Sequence, residues 1–493
     1  MAGGASCTGS ESGIIGASGY WGLLILAAAT DRGLNARAGA RMTDRGSFGS
    51  RMGFVLAAAG SAIGLGNIWG FPTQVGRGGG AAFVLVYLGC VFLICAPIMI
   101  AELAVGRRAK KDPIGAFRLI RPGSAWWLTG LLGVLAGVGI LSFYSVIAGW
   151  TIAYIYFTLA GSVSGSPEAV GAFFGTFTAN APLNIALTLV VLGATAGTIV
   201  GGVRGGIERM TKVLMPLLFV LLGILMVRAL TLPGASTGLE YYLRPDLSKA
   251  LDITVINAAL GQAFFSLSLG MGAMITYGSY IGTTENLARA AAWVVMLDTA
   301  VALMAGFIVF PVGFTLAGFD PTTSGPGLIF VVLPQLFATM PGGALFGAAF
   351  FVMLTIAALT STISLLEVPT SHLIDSHGWS RTRAVLVLTS VTFLLSIPSA
   401  LANGAVGFFS ALPGVGMDFL SLMATVWNNF ALPIGGLLLA IFVGHVWRAD
   451  RALEELQIGG RMPGAALWSF LIRWVCPAAI LLILVFTVRG LLG

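Results

Sequence analysis

Long apolar segments, separated by short stretches that hold most of the charged residues, dominate this sequence. After residue 42, eleven of them reach roughly the ~20 residues that a helix needs to cross a bilayer. They cover about residues 52–74, 81–105, 126–159, 182–201, 212–231, 253–279, 288–318, 343–371, 383–401, 411–446 and 465–490. The pattern predicts an all-α polytopic membrane protein with about 11 transmembrane helices, several of them tilted or broken.

Two of these segments contain glycine-rich interruptions at their centres. The first holds GSAIGLGN at residues 60–67, and the sixth holds SLSLGMG at residues 266–272. Backbone that leaves the helix at membrane depth must line a cavity, because hydrocarbon cannot satisfy its amides and carbonyls. Glycines also permit close helix packing. The matched positions, with Asn67, Ser266 and Ser268 beside the breaks, favour the binding site of a transporter.

Composition supports a membrane protein. Hydrophobic residues make up 57% of the chain and charged residues 9%. The net charge of +7 does not indicate nucleic-acid binding, because the basic residues fall in short loops on one side of the predicted spans. The positive-inside rule then predicts a multi-pass protein of the cell inner (plasma) membrane with a cytoplasmic N-terminus.

Two regions outside the spans have their own predictions. Residues 1–41 are expected to be an N-terminal extension or the result of a mis-assigned start, because Met42 is a better candidate than Met1 for the first residue. The outer loop over residues 319–343 contains an apolar stretch at residues 328–333 that is too short to span, so we expect a lid or a re-entrant hairpin.

Charged residues inside apolar segments cost roughly 2.5–3.5 kcal/mol each to insert, so each needs a role. Asp298 is the best candidate for a buried cation ligand. Glu102 is expected to cap amides freed by a broken neighbouring helix. Glu367 is interpreted as a hydrogen-bond hub, with a proton site as the alternative. The hydroxyls of residues 360–362 could be ligands of sodium, a hard cation that prefers oxygen. Alternatively, they could donate hydrogen bonds to backbone carbonyls of their own helix.

Several motifs resemble the neurotransmitter:sodium symporter family, in the prokaryotic branch that includes the bacterial leucine transporter. They are FVLAAAGSAIGLGNIW at residues 54–69, FP at 71–72, GGGA at 78–81, GQAFFSLSLGMG at 261–272 and LTS at 359–361. The resemblance implies one transporter domain over residues 42–493. It would contain an inverted 5+5 repeat over about residues 52–231 and 253–446, with helices 1 and 6 unwound mid-membrane and an extra helix at about 465–490.

The resemblance also implies two sodium sites and an amino-acid site. One sodium site would use the carbonyls of Gly60, Ile63 and Ala357 and the hydroxyls of Thr360 and Ser361. The other would use Ala62, Asn67, Ser266, Asp298 and the substrate carboxylate. The substrate would contact Ser61, Ala62, Gly64, Leu65, Gly66, Ile140, Tyr144, Phe265, Ser266, Ser268, Met271, Ser361 and Leu365. Monoamine members of the family carry aspartate at the position of Gly64, so glycine implies a substrate with its own carboxylate.

Several further positions bear on the ions and the gates. Asp298 stands where the leucine transporter has asparagine, and Ala302 stands where it has a glutamate, so we expect chloride independence with Asp298 supplying the charge. Gly70 replaces the usual outer-gate arginine, although Asp418 matches its acidic partner. The inner gate is expected to pair Arg45 with Asp375, beside Phe48, Ser279 and Tyr280.

The sequence thus predicts a sodium-coupled symporter that imports a neutral, hydrophobic amino acid by alternating access, without enzymatic activity. The alternatives are an amino-acid sensor or channel without coupled transport, and a proton-coupled variant. The expected partners are two sodium ions, the amino acid and the lipid bilayer, and the resemblance allows a homodimer. No partner role for nucleic acid is expected.

Overall fold

The computed structural model of the protein describes residues 46–315, 319–322 and 327–492, and within these residues the structure is helical without strands. We number its membrane helices in chain order. They are α1 (Arg51–Ala62 and Gly66–Arg77), α2 (Ala81–Ala109), α3 (Trp127–Leu159), α4 (Ala181–Val200), α5 (Val203–Leu230), α6 (Ile253–Ser266 and Ala273–Ser279), α7 (Leu287–Gly313), α8 (Gly343–His377), α9 (Arg381–Ala400), α10 (Phe419–Val446) and α11 (Ala465–Gly490). The number of helices agrees with the sequence prediction.

Helices α1 and α6 are broken at the two glycine-rich interruptions. In α1 the break falls at Ile63, whose ψ of 111° leaves the helical region, and the two halves are bent by 50°. In α6 the backbone turns through positive φ angles at Ser268, Gly270 and Gly272. Gly270 also has to be small, because a Cβ there would lie 2.1 Å from the carbonyl oxygen of Leu432 in α10. Local backbone freedom and close packing therefore both require glycine here.

Helices α3 and α8 form the centre of the bundle. They pack against each other along their lengths. In the most apolar part of each helix, 83% and 78% of the residues are buried, respectively. By contrast, only 28% of the residues in the most apolar parts of α5 and α11 are buried, so these two helices present apolar surface to lipid. The first half of α1, Arg51–Ala62, packs against α8, and its second half, Gly66–Arg77, packs against α7.

Polar side chains fix where several helices begin. Ser50, Asp252, Asn286 and Asp418 each accept a hydrogen bond from a backbone amide in the first turn of α1, α6, α7 and α10. These caps satisfy amides that have no partner within the helix. Asp418 is thus a helix cap in addition to its position facing the outer side of the bundle.

Some predicted boundaries were wrong. Helix α5 begins at Val203 rather than 212, α7 ends at Gly313 rather than 318, and α10 begins at Phe419 rather than 411. Gly201 and Gly202 form the turn between α4 and α5, and Gly202 has a φ of 78°. Gly205 and Gly206 lie within α5, where a Cβ on Gly206 would lie 1.9 Å from the carbonyl oxygen of Thr198. The outer apolar stretch forms a short helix, Leu328–Thr339, below spanning length. The predictions for residues 1–41 and Arg45 fall outside the described residues.

Candidate substrate and sodium site

A small cavity of about 20 Å³ lies where the breaks of α1 and α6 face α3 and α8. It is lined by Ala62, Gly64, Gly66, Ile140, Tyr144, Phe265, Ser268, Met271, Ser361, Leu365 and Leu432. Ten of these eleven residues belong to the set that the sequence predicts for the substrate. Of the remaining predicted residues, Leu65 lines a second, larger cavity, while Ser61 and Ser266 contribute hydrogen bonds next to the small one.

Gly64 faces the centre of this cavity. A Cβ at this position would lie 2.5 Å from the Ser361 Oγ and 2.8 Å from the Tyr144 hydroxyl, so any side chain would displace both groups. The Tyr144 hydroxyl accepts a hydrogen bond of 3.0 Å from the Leu65 amide at the start of the second half of α1. The freed amide and the hydroxyl thus lie together where a carboxylate could accept hydrogen bonds from both.

Asp298 lies next to the break, completely buried on α7. Its Oδ1 accepts a hydrogen bond of 2.7 Å from the Asn67 amide nitrogen, and its two oxygens lie 3.1 and 2.9 Å from the Ser266 hydroxyl. No arginine, lysine or histidine pairs with Asp298 among the described residues. Asn67, Ser266 and Asp298, predicted for one of the two sodium sites, are therefore in mutual contact. We call this the first sodium site and the Gly60–Thr360 site the second.

The residues predicted for the second sodium site meet between α1 and α8. The Thr360 hydroxyl donates to the Ala357 carbonyl at 3.0 Å, and the Ser361 hydroxyl lies 3.3 Å from the Ile63 carbonyl. Gly60 packs against Thr360, since a Cβ on it would lie 3.2 Å from the Thr360 Cβ. The Ser361 hydroxyl thus meets a carbonyl of the α1 break, while the Thr360 hydroxyl bonds to a carbonyl of its own helix. Neutral oxygens of this kind suit an alkali cation.

The other two charged residues of the spans serve the fold. Glu102 accepts a hydrogen bond of 2.7 Å from the Gly270 amide at the α6 break, the capping role that the sequence predicts. Glu367 accepts from the Tyr280 hydroxyl at 2.7 Å and pairs with Arg381 at 2.8 Å. This buried ion pair supports the interpretation of Glu367 as a hydrogen-bond hub, because an ionised carboxylate paired with arginine is already neutralised.

A second, larger cavity of about 670 Å³ opens on the opposite side of Tyr144 and Phe265, which line both cavities and so separate them. Trp69, Gly70, Gln262 and Asp418 line it. A Cβ on Gly70 would lie 2.9 Å from the Gln262 side chain, which donates to the Gly66 carbonyl at 2.7 Å. At this level glutamine occupies the space beside Gly70, and Asp418 binds the amide and hydroxyl of Ser421 at 2.9 and 2.6 Å.

The opposite end of the site is closed. The ring of Phe48 makes edge contacts with Tyr277 and Tyr280 at 5.8 and 6.3 Å, and its amide donates to the Tyr280 carbonyl. The hydroxyl of Ser279 bonds back into its own helix. Asp375 accepts a hydrogen bond of 2.7 Å from the Asp112 amide, while its predicted partner Arg45 lies outside the described residues. The larger cavity, which we call the vestibule, thus reaches Tyr144 and Phe265 from one side, whereas the other end of the site is packed closed.

Three residues of the site were missed by the sequence analysis. Gln262 and Tyr87 contact the breaks, Tyr87 through a 3.4 Å contact with the Ser266 hydroxyl, and Leu432 completes the cavity wall. Gln262 was detectable, because a polar residue one turn before Ser266 in an apolar segment needs a partner. No sequence signal marks Leu432, since only the packing of the helices decides which of the many leucines lines the small cavity.

Comparison with known proteins agrees with this architecture. The model of the sodium:neurotransmitter symporter family matches residues 45–166 and 175–491. An uncharacterised sodium-dependent transporter of Bacillus subtilis, YhdH, is 39% identical over 439 residues, covering 88% of this chain and 96% of its own length. The sodium-dependent serotonin transporter of Drosophila melanogaster is 27% identical, covering 90% and 77%.

Among solved structures, the crystal structure of MhsT in complex with L-phenylalanine matches with a TM-score of 0.82 and 44% sequence identity. The match covers 90% of this chain and 99% of MhsT. Broken helices at matched positions, buried oxygen clusters beside them and similarity over nearly the whole chain all point the same way. The chain therefore belongs to the sodium:neurotransmitter symporter family and is a sodium-coupled membrane transporter, not an enzyme.

Proposed function

We propose that this protein imports a neutral, hydrophobic amino acid together with two sodium ions, without requiring chloride. The proposed site is the small cavity between the breaks of α1 and α6, with the sodium ions at the two oxygen clusters beside it. The pattern of basic loops supports an N-terminus on the cytoplasmic side of the plasma membrane. A homodimer stays a prediction.

The observation that carries the sodium proposal is the environment of Asp298. This side chain is completely buried, and its hydrogen-bond partners Asn67 and Ser266 are neutral. A buried carboxylate without a counter-ion is strongly unfavourable, so the site calls for a cation or for a proton. The adjacent Ser266 hydroxyl favours sodium, because it adds a neutral oxygen ligand to a charged one.

The walls of the cavity support the choice of substrate. Ile140, Phe265, Met271, Leu365 and Leu432 provide apolar surface for a hydrophobic side chain. The Leu65 amide, held 3.0 Å from the Tyr144 hydroxyl, offers a donor for the substrate carboxylate, and Gly64 leaves no side chain in its place. The structural relative MhsT, 44% identical, forms a complex with L-phenylalanine, which is a substrate of this class.

The two cavities suggest how alternating access proceeds. In the state described here a substrate would enter the vestibule of about 670 Å³ and meet Tyr144 and Phe265 above the inner cavity. The inner cavity of about 20 Å³ must widen, since ligand sites typically measure about 300–1,000 Å³. Sodium at the breaks would order α1 and α6, and the substrate carboxylate would complete the first sodium site, so that the two ligands favour each other.

Chloride independence follows from the charge that Asp298 already supplies. The neighbouring Ala302 is completely buried and carries no charge. A sodium ion beside Asp298 would be neutralised within the protein, so a chloride ion is not needed for charge balance. Each sodium ion moving inwards gains about 2.3 kcal/mol per 100 mV of membrane potential, so two ions could drive strong accumulation.

Uptake into proteoliposomes tests the proposal. Labelled neutral amino acids are supplied outside, with either sodium or choline, and with chloride or gluconate as the anion. We expect accumulation of one or a few hydrophobic amino acids that requires sodium and is unaffected by the anion. Uptake driven by a proton gradient without sodium would instead assign Asp298 to proton coupling. Saturable binding without accumulation would identify a sensor, and strong chloride stimulation would contradict the charge argument.

A further inference from the structure

A separate cavity of about 390 Å³ lies beside the start of α5, away from the transport site. It is lined by Gly49, Arg204, Glu208, Arg209, Lys212 and Val213. Residues 46–50, which lead into α1, pack over it, with Gly46 close to Val203 and Gly49 beside the Arg204 side chain. By the positive-inside rule this is the cytoplasmic edge of the bundle.

The charges of this groove do not balance. Glu208 is its one carboxylate, and it is fully used by a 2.6 Å bond from the Gly49 amide, a 2.9 Å bond from Ser50 and a 2.6 Å ion pair with Lys212. Arg204 and Arg209 are exposed and make no ion pair with any other described residue. The groove therefore holds two uncompensated guanidinium groups, which suit a phosphate because they can bind its oxygens in pairs.

An apolar ridge continues from the groove along α5. Val213, Leu217, Val220, Ile224 and Val227 are 62%, 42%, 57%, 59% and 60% exposed, respectively. Their spacing of three and four residues places them on one face of the helix, and Arg209 lies one turn before Val213 on the same face. The cations at the membrane edge and the apolar ridge thus form one continuous surface, polar at one end and apolar beyond it.

We propose that this groove binds the headgroup of an anionic phospholipid, with the phosphate between Arg204 and Arg209 and the acyl chains along the α5 ridge. A phospholipid fits better than a soluble anion because the cavity opens beside Val213, which faces lipid. Anionic lipids of the cytoplasmic leaflet attract basic residues close to a membrane helix, and basic pockets there bind lipid headgroups. The bound lipid would also contact residues 49–50, which Glu208 holds against α5.

Native mass spectrometry of the purified protein, titrated with phosphatidylglycerol or phosphatidylcholine, measures the binding. The test variant is Arg204→Gln with Arg209→Gln, and the matched control is Arg451→Gln with Arg461→Gln, two exposed arginines of the same predicted side. Each basic residue near an anionic lipid contributes about fivefold in affinity, so we expect about 25-fold weaker phosphatidylglycerol binding in the test variant and little change in the control. The thermal unfolding midpoint of each variant reports on folding.

Three outcomes would overturn the proposal. Equal weakening in the test and control variants would mean general attraction by surface charge. Equal affinity of the unmodified protein for phosphatidylcholine would remove the requirement for an anionic headgroup. Thermal stabilisation by inorganic phosphate in detergent as large as that by phosphatidylglycerol would assign the groove to a soluble anion.

Discussion

Replacing Asp298 by alanine tests the sodium assignment most directly. The change removes the one charged group of the first sodium cluster while leaving much of the surrounding hydrogen bonding in place. The Asn67 amide nitrogen would still donate to the Ser266 hydroxyl at 2.8 Å and to the backbone carbonyl of residue 298 at 3.1 Å. We therefore expect the variant to fold.

The loss in sodium binding should be large. Breaking a buried charge pair by removing one partner costs about 3–5 kcal/mol, and about 1.4 kcal/mol corresponds to a factor of ten in affinity. The sodium concentration for half-maximal amino-acid binding should accordingly rise at least about 100-fold. The fold itself should lose little stability without sodium, because the variant no longer buries an unpaired charge.

The assay is sodium-dependent binding of a labelled hydrophobic amino acid to purified protein, with choline keeping the ionic strength constant. Asp418→Ala is the control, since Asp418 is an acidic residue of the vestibule whose carboxylate accepts from Ser421 in the first turn of its own helix. A folded Asp298→Ala variant with a sodium dependence within threefold of the unmodified protein would refute the assignment of Asp298 as a ligand.

Three further predictions follow from the same contacts. Tyr144→Phe removes a hydroxyl donor for the substrate carboxylate beside the Leu65 amide, so amino-acid affinity should fall about tenfold, and an unchanged dissociation constant would contradict a carboxylate site here. Arg381→Gln leaves Glu367 buried without a cation and should lower the free energy of unfolding by about 3–5 kcal/mol; a thermal unfolding midpoint equal to that of the unmodified protein would show that the pair is dispensable. Asp298→Asn keeps an oxygen ligand but removes the charge, so chloride should stimulate amino-acid uptake by this variant. Equal uptake by the variant in chloride and in gluconate would disprove the charge-substitution argument.

The sequence by itself determined the membrane architecture and the positions of the two helix breaks. Hydrophobic segments of spanning length are a local property of the chain, and the broken helices are marked by glycines that local backbone geometry requires. The residues around Gly64 and Ser268 could be predicted because they belong to the same short motifs as the breaks. Only Leu432 in the cavity wall escaped this reasoning, since it comes from a distant helix without a motif of its own.

The tertiary structure decided which polar groups neutralise one another. Glu367 could have been a proton site by sequence, but packing brings Arg381 to 2.8 Å from it. Asp298 has no such cation beside it in the part of the chain that the structure describes, which is why we propose it as a sodium ligand. The start of α5 reads as a glycine-rich loop, yet packing holds it helical and leaves Arg204 and Arg209 facing outwards. Such outcomes depend on contacts between residues far apart in the chain, and no local pattern encodes whether a charge meets its partner.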